Sequence, residues 1–388
     1  MLKITKALLP LLVVLMVLGL FGAWDRLIHG EKNLNLGSYL PWGLWVGSYI
    51  YLVGFSGGAF LVLFLHYALG IRSLRRASLY ALPLALSTLG YGLMLVLADL
   101  GHMERFWKLY LQPNPTSILA WMVWVYTAYN LVLVAMLYAL VGGKNRWLKP
   151  LSVVGFLLVI TFGGGEGALL GVLGAKPYWN SGLLLIRFLF TAFLSGVALV
   201  AFTTVFFRHW PADNEHRDAL GFLRYFLLTV LGIISLVEFA EFFVIHYAAV
   251  PAVLEARRLV IFGTYWWVFW FGQILLGLVV PAAILAPSWG TRPFLFGIAT
   301  ASIVIGNAAS KQSVVLPILT APDLHTLPKA FVQQRFSLVY YPSLTEWLFW
   351  LGVGAAAALV FLILIETLIY LQVRKEPAVI AAASGRSG

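Results

Sequence analysis

Apolar positions run along this chain in long stretches separated by short polar links. Ten stretches stand out, roughly Leu8–Ala23, Trp42–Leu69, Leu79–Ala98, Ile118–Val141, Leu151–Leu173, Ser181–Phe206, Ala219–His246, Leu259–Leu285, Pro293–Leu316 and Trp347–Leu371. A helix needs about 20 apolar residues to cross a bilayer, and a barrel strand only about ten. The pattern therefore predicts an all-α fold, a polytopic membrane bundle of about ten transmembrane helices. The links are too short for a separate soluble domain, so residues 1–388 read as one membrane domain. Two stretches need comment. The first follows Lys3 and Lys6 as a signal peptide would, but its apolar run is longer than an h-region, and it is read as a retained helix. The ninth is diluted by Asn307, Ser310, Lys311 and Gln312.

Composition sharpens the class. The chain is 61% hydrophobic and 11% charged, with a mean hydropathy of +0.91, which excludes an ordinary soluble domain. The net charge of +11 would suggest nucleic acid on a soluble protein. Here the basic residues sit in the links and report orientation, so no nucleic-acid partner is expected. The N-terminus and alternate links hold 14 Lys and Arg, and the opposite links hold nine. That asymmetry places both termini in the cytoplasm and the chain in the cytoplasmic membrane. The absence of cysteine removes disulfides, iron–sulfur ligation and thiolate metal sites. Of the seven histidines only His66 and His246 fall within spans, near opposite faces, which does not suit a haem held by two of them. The chain is expected to carry no haem, iron–sulfur cluster, metal or flavin.

Ionisable groups at membrane depth are costly and mark function by default. At about 1.5 Å per residue, Glu166 lies roughly 10 Å from the outer end of its span. On the same scale Glu238 and Glu241 lie about 12 and 8 Å deep, Arg187 about 9 Å and Lys311 about 8 Å, all on the outer side. Asp99 closes the third span at that face, with His102 just beyond it. Glu238 and Glu241 are three apart and share a helix face. The plain alternative is that Arg187, Lys311 and these acids form structural ion pairs between helices. The inner half offers His66, Glu366 and Arg224, which read as snorkelling or capping groups.

The stretch "TFGGGEGALLGVLG", Thr161 to Gly174, places Glu166 among six glycines. Gly163, Gly167 and Gly171 form a small-residue stripe that lets helices approach closely. Close packing accounts for the glycines and leaves the acid unexplained. The stretch lacks the Gly-Lys-Ser/Thr ending of a phosphate-binding loop.

Several segments then agree, in order, with one family. "PWGLWVGSYIYLVGFSGGAF" (Pro41 to Phe60), "LADLGHMERFWKLYLQPNPTSILAWMVW" (Leu97 to Trp124), "KPYWNS" (Lys176 to Ser181) and "YYPSLTEWLFWLG" (Tyr340 to Gly352) resemble the NrfD-like, or polysulfide reductase membrane-subunit, family. The last segment is similar to the start of the final helix in the longer, ten-helix members, such as the membrane subunits of quinone-linked hydrogenases. The resemblance spans residues 41–372. It implies a first helix and outer loop over 1–41, a family core over 42–286, and two additional helices and a tail over 287–388. It also implies a haem-free membrane subunit that exchanges electrons between menaquinone or ubiquinone and an iron–sulfur partner. A molybdopterin, nickel–iron or multihaem subunit would complete the complex. Asp99 and Arg105 match family positions, and Glu241 matches the acid of the longer members. Some members have His or Tyr near the quinone in the second and fifth spans; this chain has Tyr49 in the former and only glycines and Glu166 in the latter.

Two functions follow. In a quinol-handling redox subunit, Glu166, Asp99, Glu238 and Glu241 would accept or relay protons. Tyr49, His102, Arg105, Arg187 and Lys311 would then contact the quinone. In a secondary transporter, the same buried carboxylates would couple a proton or ion to a substrate. No internal repeat supports the transporter, and the family resemblance favours the redox subunit, with proton translocation as an added possibility. The redox reading expects its partner to dock on the outer loops, especially Leu100–Ser117 and Thr320–Pro342. Reporter fusions after Gly142 and after Gln112 test the topology: the first should report a cytoplasmic position and the second an external one. The reverse pattern would overturn it.

Overall fold

A computed structural model of the chain describes residues 3–207, 214–321 and 336–384, with side chains from 6 to 371. Every long element in it is helical: α1 (Lys3–His29), α2 (Leu44–Tyr67), α3 (Arg75–Asp99), the short α4 (Lys108–Leu111), α5 (Ile118–Val141), α6 (Leu148–Gly171), α7 (Gly182–Phe206), α8 (Asn214–Ala248), α9 (Pro251–Phe262), α10 (Val268–Leu285), α11 (Pro293–Leu319) and α12 (Leu344–Ser384). Ten of these are long and apolar enough to span a membrane. Alternation of ten spans puts both termini at one end of the bundle, here the terminal end. The opposite, distal end includes the links after α1, α3, α6, α8 and α11.

The helices start and stop where local chemistry dictates. Pro251 and Pro293 open α9 and α11, where a missing N–H costs nothing. Ser181 caps α7 by accepting from the Leu183 N–H at 3.3 Å. The chain leaves α2 through Gly70 and α5 through Gly143, both with positive φ.

One expected span is corrected. The apolar run Leu259–Leu285 is not a single helix. Its first residues belong to the amphipathic α9, which ends at Gly263, and the spanning helix begins only at Val268. Periodicity explains the break: Val253, Ala256, Arg257 and Val260 lie on one face of α9, while Arg258 is exposed. The spanning part, α10, is π-helical from Val268 to Val279 and α-helical from Val280. The diluted ninth stretch does form a span, α11, and its polar residues face inward: Asn307, Ser310 and Lys311 are buried.

Helix α2 is the axis of the bundle, with 89% of its apolar window buried against α3, α6, α7 and α11. Helices α5 and α6 close one side, α8 and α10 the other, and α1 pairs with α12 beside α3. Small residues make these approaches possible. A Cβ on Gly58 of α2 would lie 2.7 Å from the Gly196 Cα of α7. The Thr161–Gly174 glycines behave alike: a Cβ on Gly167 would meet the Leu185 Cα at 2.6 Å, and one on Gly165 the Met122 sulfur at 2.6 Å. Gly196→Leu should therefore destabilise the bundle by about 1–3 kcal/mol or more, read as a lowered unfolding temperature in detergent. Gly221→Ala, which meets open space, should leave that temperature unchanged or raise it.

Candidate functional site

Three polar groups lie towards the distal end, and the first contains Glu166. Tyr49 enters from α2, Tyr126 from α5 and Glu166 from α6, each a few residues from the distal end of its helix. Equal depth lets them meet. The Tyr126 hydroxyl donates to Glu166 Oε1 at 3.2 Å, and the Tyr49 and Tyr126 hydroxyls lie 2.7 Å apart. A phenol has one proton to give, so when Tyr126 donates to the carboxylate Tyr49 must donate to Tyr126. All three side chains are buried. Both tyrosines also line a cavity of about 510 Å³ between α3, α4 and α5, whose other walls are mainly Leu93, Leu97, Leu109 and Met122. Glu166 thus stands behind Tyr126 as seen from an apolar chamber.

The second group centres on Arg187 of α7, which is 4% exposed. Its guanidinium lies 3.2 Å from Glu238 Oε1, donates to Glu241 Oε2 at 3.2 Å, and donates to Ser310 Oγ of α11 at 3.3 Å. Gln273, on the π-helical part of α10, donates to Glu238 at 2.9 Å. Glu238 and Glu241 share a face, as their spacing requires, and one arginine serves both. Beside this group, towards the membrane centre, lies a cavity of about 30 Å³ bordered by Glu238, Ser235, Thr191 and Asn307. Its size matches a single water.

Lys311 stands between the two groups. Its ammonium lies 3.4 Å from the Phe188 ring centroid and within electrostatic reach of Glu166, without closing to an ion pair. Arg187 is committed to the acids of α8. Glu166 is therefore not half of an Arg187 pair.

The third group lies apart, where α1, α3 and α12 meet. Asp99 is half-buried there, near Arg26, Glu31 and Glu346. Arg26 donates to the Ala98 and Leu100 carbonyls, both at 2.8 Å. Glu346, 1% exposed, accepts from the Tyr340 hydroxyl and from the Ser343 N–H at 2.8 Å. Burial and then the Glu346 carboxylate push the Tyr340 phenol well above its ordinary range, so it stays a donor. Tyr340 in turn accepts from the Leu44 N–H at 2.8 Å, which ties the start of α12 to the start of α2.

The structure thus brings Tyr49 to Glu166, and Arg187 to Glu238 and Glu241. It does not bring Asp99, His102 or Arg105 to either. His102 and Arg105 lie exposed in the link after α3, both against Glu104, at 3.0 and 3.5 Å. Of the two loops expected to face a partner, Leu100–Ser117 is described, whereas 322–335 of the other lies outside the described residues. Arg224 does not snorkel: it is buried and donates to the Leu285 and Ala286 carbonyls at 2.6 and 2.8 Å, closing the end of α10. His66 does cap, through the Ile71 carbonyl at 3.0 Å.

Sequence reasoning missed Tyr126, Gln273 and Glu346. Tyr126 was detectable from depth, about 12 Å into the fourth stretch and level with Glu166. Glu346 was detectable as the last residue of a Ser-x-x-Glu capping box beginning at Ser343. Nothing in the sequence marks the π-helical turn that aims Gln273.

The family model described as "Polysulphide reductase, NrfD" matches residues 32–317. A selenate reductase subunit of Mesobacillus selenatarsenatis is 32% identical, over 93% of this chain and 93% of the relative. The Hdr-like menaquinol oxidoreductase integral membrane subunit of Archaeoglobus fulgidus is 26% identical over 91% of each. A polysulfide reductase polypeptide of Wolinella succinogenes is 24% identical, over 63% of this chain and 82% of its own length.

Removing the shared cation is the sharpest probe of the second group. Arg187→Met should cost about 3–5 kcal/mol, because it leaves two buried carboxylates without a partner. Adding Glu238→Gln and Glu241→Gln should recover most of that loss. Thermal unfolding of the membrane-extracted chain reads both, and an unchanged unfolding temperature in Arg187→Met would show that the pairing is not structural.

Proposed function

Since the chain belongs to the NrfD family, we propose that it is a membrane subunit of a redox complex that holds a quinone headgroup in the cavity between α3, α4 and α5. The observation carrying this reading is the Tyr49–Tyr126–Glu166 chain at the wall of that cavity. Small-molecule sites are mostly apolar pockets of about 300–1,000 Å³ with a few placed polar groups. A cavity of about 510 Å³ with leucine walls and two phenols fits a flat ring with two oxygens and an isoprenoid tail. A bound quinol supplies two electrons and two protons on oxidation.

The residues of the chain act on the protons. The phenol hydroxyls orient an oxygen at the cavity wall. Tyr126 would pass the two protons one after the other to Glu166 Oε1, each time regaining its own from Tyr49 or from the cavity side. The apolar walls exclude bulk water, so the proton leaves by the side chains. The electrons pass to an iron–sulfur partner seated at the distal end, nearest the cavity. With both termini cytoplasmic, that end faces outward.

The relatives named for selenate reductase, menaquinol oxidoreductase and polysulfide reductase favour this reading over a transporter. The one named for menaquinol bears most directly on the quinone.

Glu166→Gln keeps the volume and the hydrogen bond but cannot take a proton. In the assembled complex it should lower quinone-linked turnover about 10²–10⁴-fold while artificial-dye activity at the partner is retained. Tyr126→Phe should act in the same direction. Full quinone turnover in well-assembled Glu166→Gln complex would overturn the relay.

A further inference from the structure

A second recessed surface lies at the distal end, away from the quinone cavity. It is a groove of about 1000 Å³ formed by the end of α8 and by α9, and two arginines line it. Arg257 occupies an inward position on α9, where Val253, Ala256 and Val260 supply an apolar stripe. It is 8% exposed and lies over the Phe242 and Phe269 rings, 5.7 and 5.5 Å from their centroids. One of its terminal nitrogens donates to the Tyr178 hydroxyl at 3.0 Å, while its buried Nε has no hydrogen-bond partner among the described residues. A buried guanidinium with an unused donor calls for an acceptor. Arg258, next in the chain, is exposed on the same groove. His246 lines it too; its Nδ1 must donate to the Phe242 carbonyl at 2.8 Å, which leaves Nε2 facing outward as an acceptor when neutral. Glu255 also lines the groove, engaged in an interaction of its own, and the two arginines leave the balance positive.

The surroundings show what kind of anion this is. Tyr247, Phe262, Trp266 and Trp267 are exposed around the end of α8 and beyond α9. Exposed tyrosine and tryptophan in such a ring mark headgroup depth at the edge of a bilayer. An amphipathic helix with apolar residues inward and an arginine outward lies along that interface. Paired arginines recognise phosphate oxygens, and the apolar side chains beside them suit acyl chains.

We propose that the α8–α9 groove binds the phosphodiester headgroup of one anionic phospholipid, with the guanidinium groups of Arg257 and Arg258 as its donors. The lipid would fasten α9 to the bundle through the Arg257–Tyr178 contact. No part of this depends on the quinone cavity.

Native mass spectrometry of the complex carrying the full chain tests it, with phosphatidylglycerol and phosphatidylcholine titrated separately. One phosphatidylglycerol per chain should survive activation that strips phosphatidylcholine. Arg257→Gln with Arg258→Gln should lower its occupancy about tenfold, the scale of one charge-assisted hydrogen bond. Arg258→Gln alone, at an exposed position that folding does not need, should lower it about threefold. Equal retention of the two lipids, or unchanged retention in Arg258→Gln, would overturn the proposal. Displacement by millimolar inorganic phosphate would make this a free-anion site and overturn the lipid reading. So would cross-links that seat a partner subunit over Arg258.

Discussion

A polar atom at membrane depth has to find its partner inside the protein, because lipid offers none. That constraint organises this bundle. Arg187 shows it most plainly: one guanidinium from α7 is held by two carboxylates of α8 and a hydroxyl of α11. Three helices are thereby fixed in rotation, since turning any of them would strand a charge. Gln273 extends the fixation to α10 through Glu238. Small residues then let the backbones close around the polar centre, as at Gly58 and Gly196 between α2 and α7.

Against that background Glu166 is the exception. Its contact is with a phenol, and the cation nearest to it, Lys311, leans on the Phe188 ring instead of closing on the carboxylate. The fully paired acids suit a scaffold. The acid with a single weak donor, beside an apolar cavity, suits proton exchange. A carboxylate locked to an arginine would release neither the charge nor the site. Under the proposed function, a division of labour between Glu166 and the Glu238–Glu241 pair would follow from what each one touches.

Much of the fold was legible because hydropathy over some twenty residues is a strong signal, and nine of the ten expected spans each match a single helix of the structure, overrunning its ends by two residues at most. The eighth failed because a run of apolar residues says nothing of where a helix changes direction; the cue inside it was Gly263, where α9 ends. Depth counting brought Glu166, Arg187, Glu238, Glu241 and Lys311 to one end, since rise per residue is nearly invariant, but it missed Arg224, buried at the opposite end. It could not tell Asp99 from Glu166, because depth carries no information about azimuth around the bundle. Tyrosine hid the key hydroxyl of Tyr126: in a membrane sequence tyrosines are commonplace at interfaces, and only the contact with Glu166 distinguishes this one. Glu346 shows the converse, a local capping pattern whose tertiary consequence, a tie to α2 through Tyr340, no local pattern contains.

The pairing of α1 with α12 has a consequence for how the chain is made. Gly19 and Gly352 face each other closely enough that a side chain on either would meet the backbone of the other, and Gly22 packs in the same way on Phe349. Among the described helices, α1, made before the others, therefore has its main partner in α12, made after them. Until residue 344 and beyond have been inserted, α1 must wait in lipid with that glycine seam open. Its mean hydropathy of 2.5, and the burial of only 11% of its apolar window even in the finished bundle, equip it for the wait. Closure of this seam is then a late event of biogenesis, joining α1 to α12 after the helices between them have been inserted.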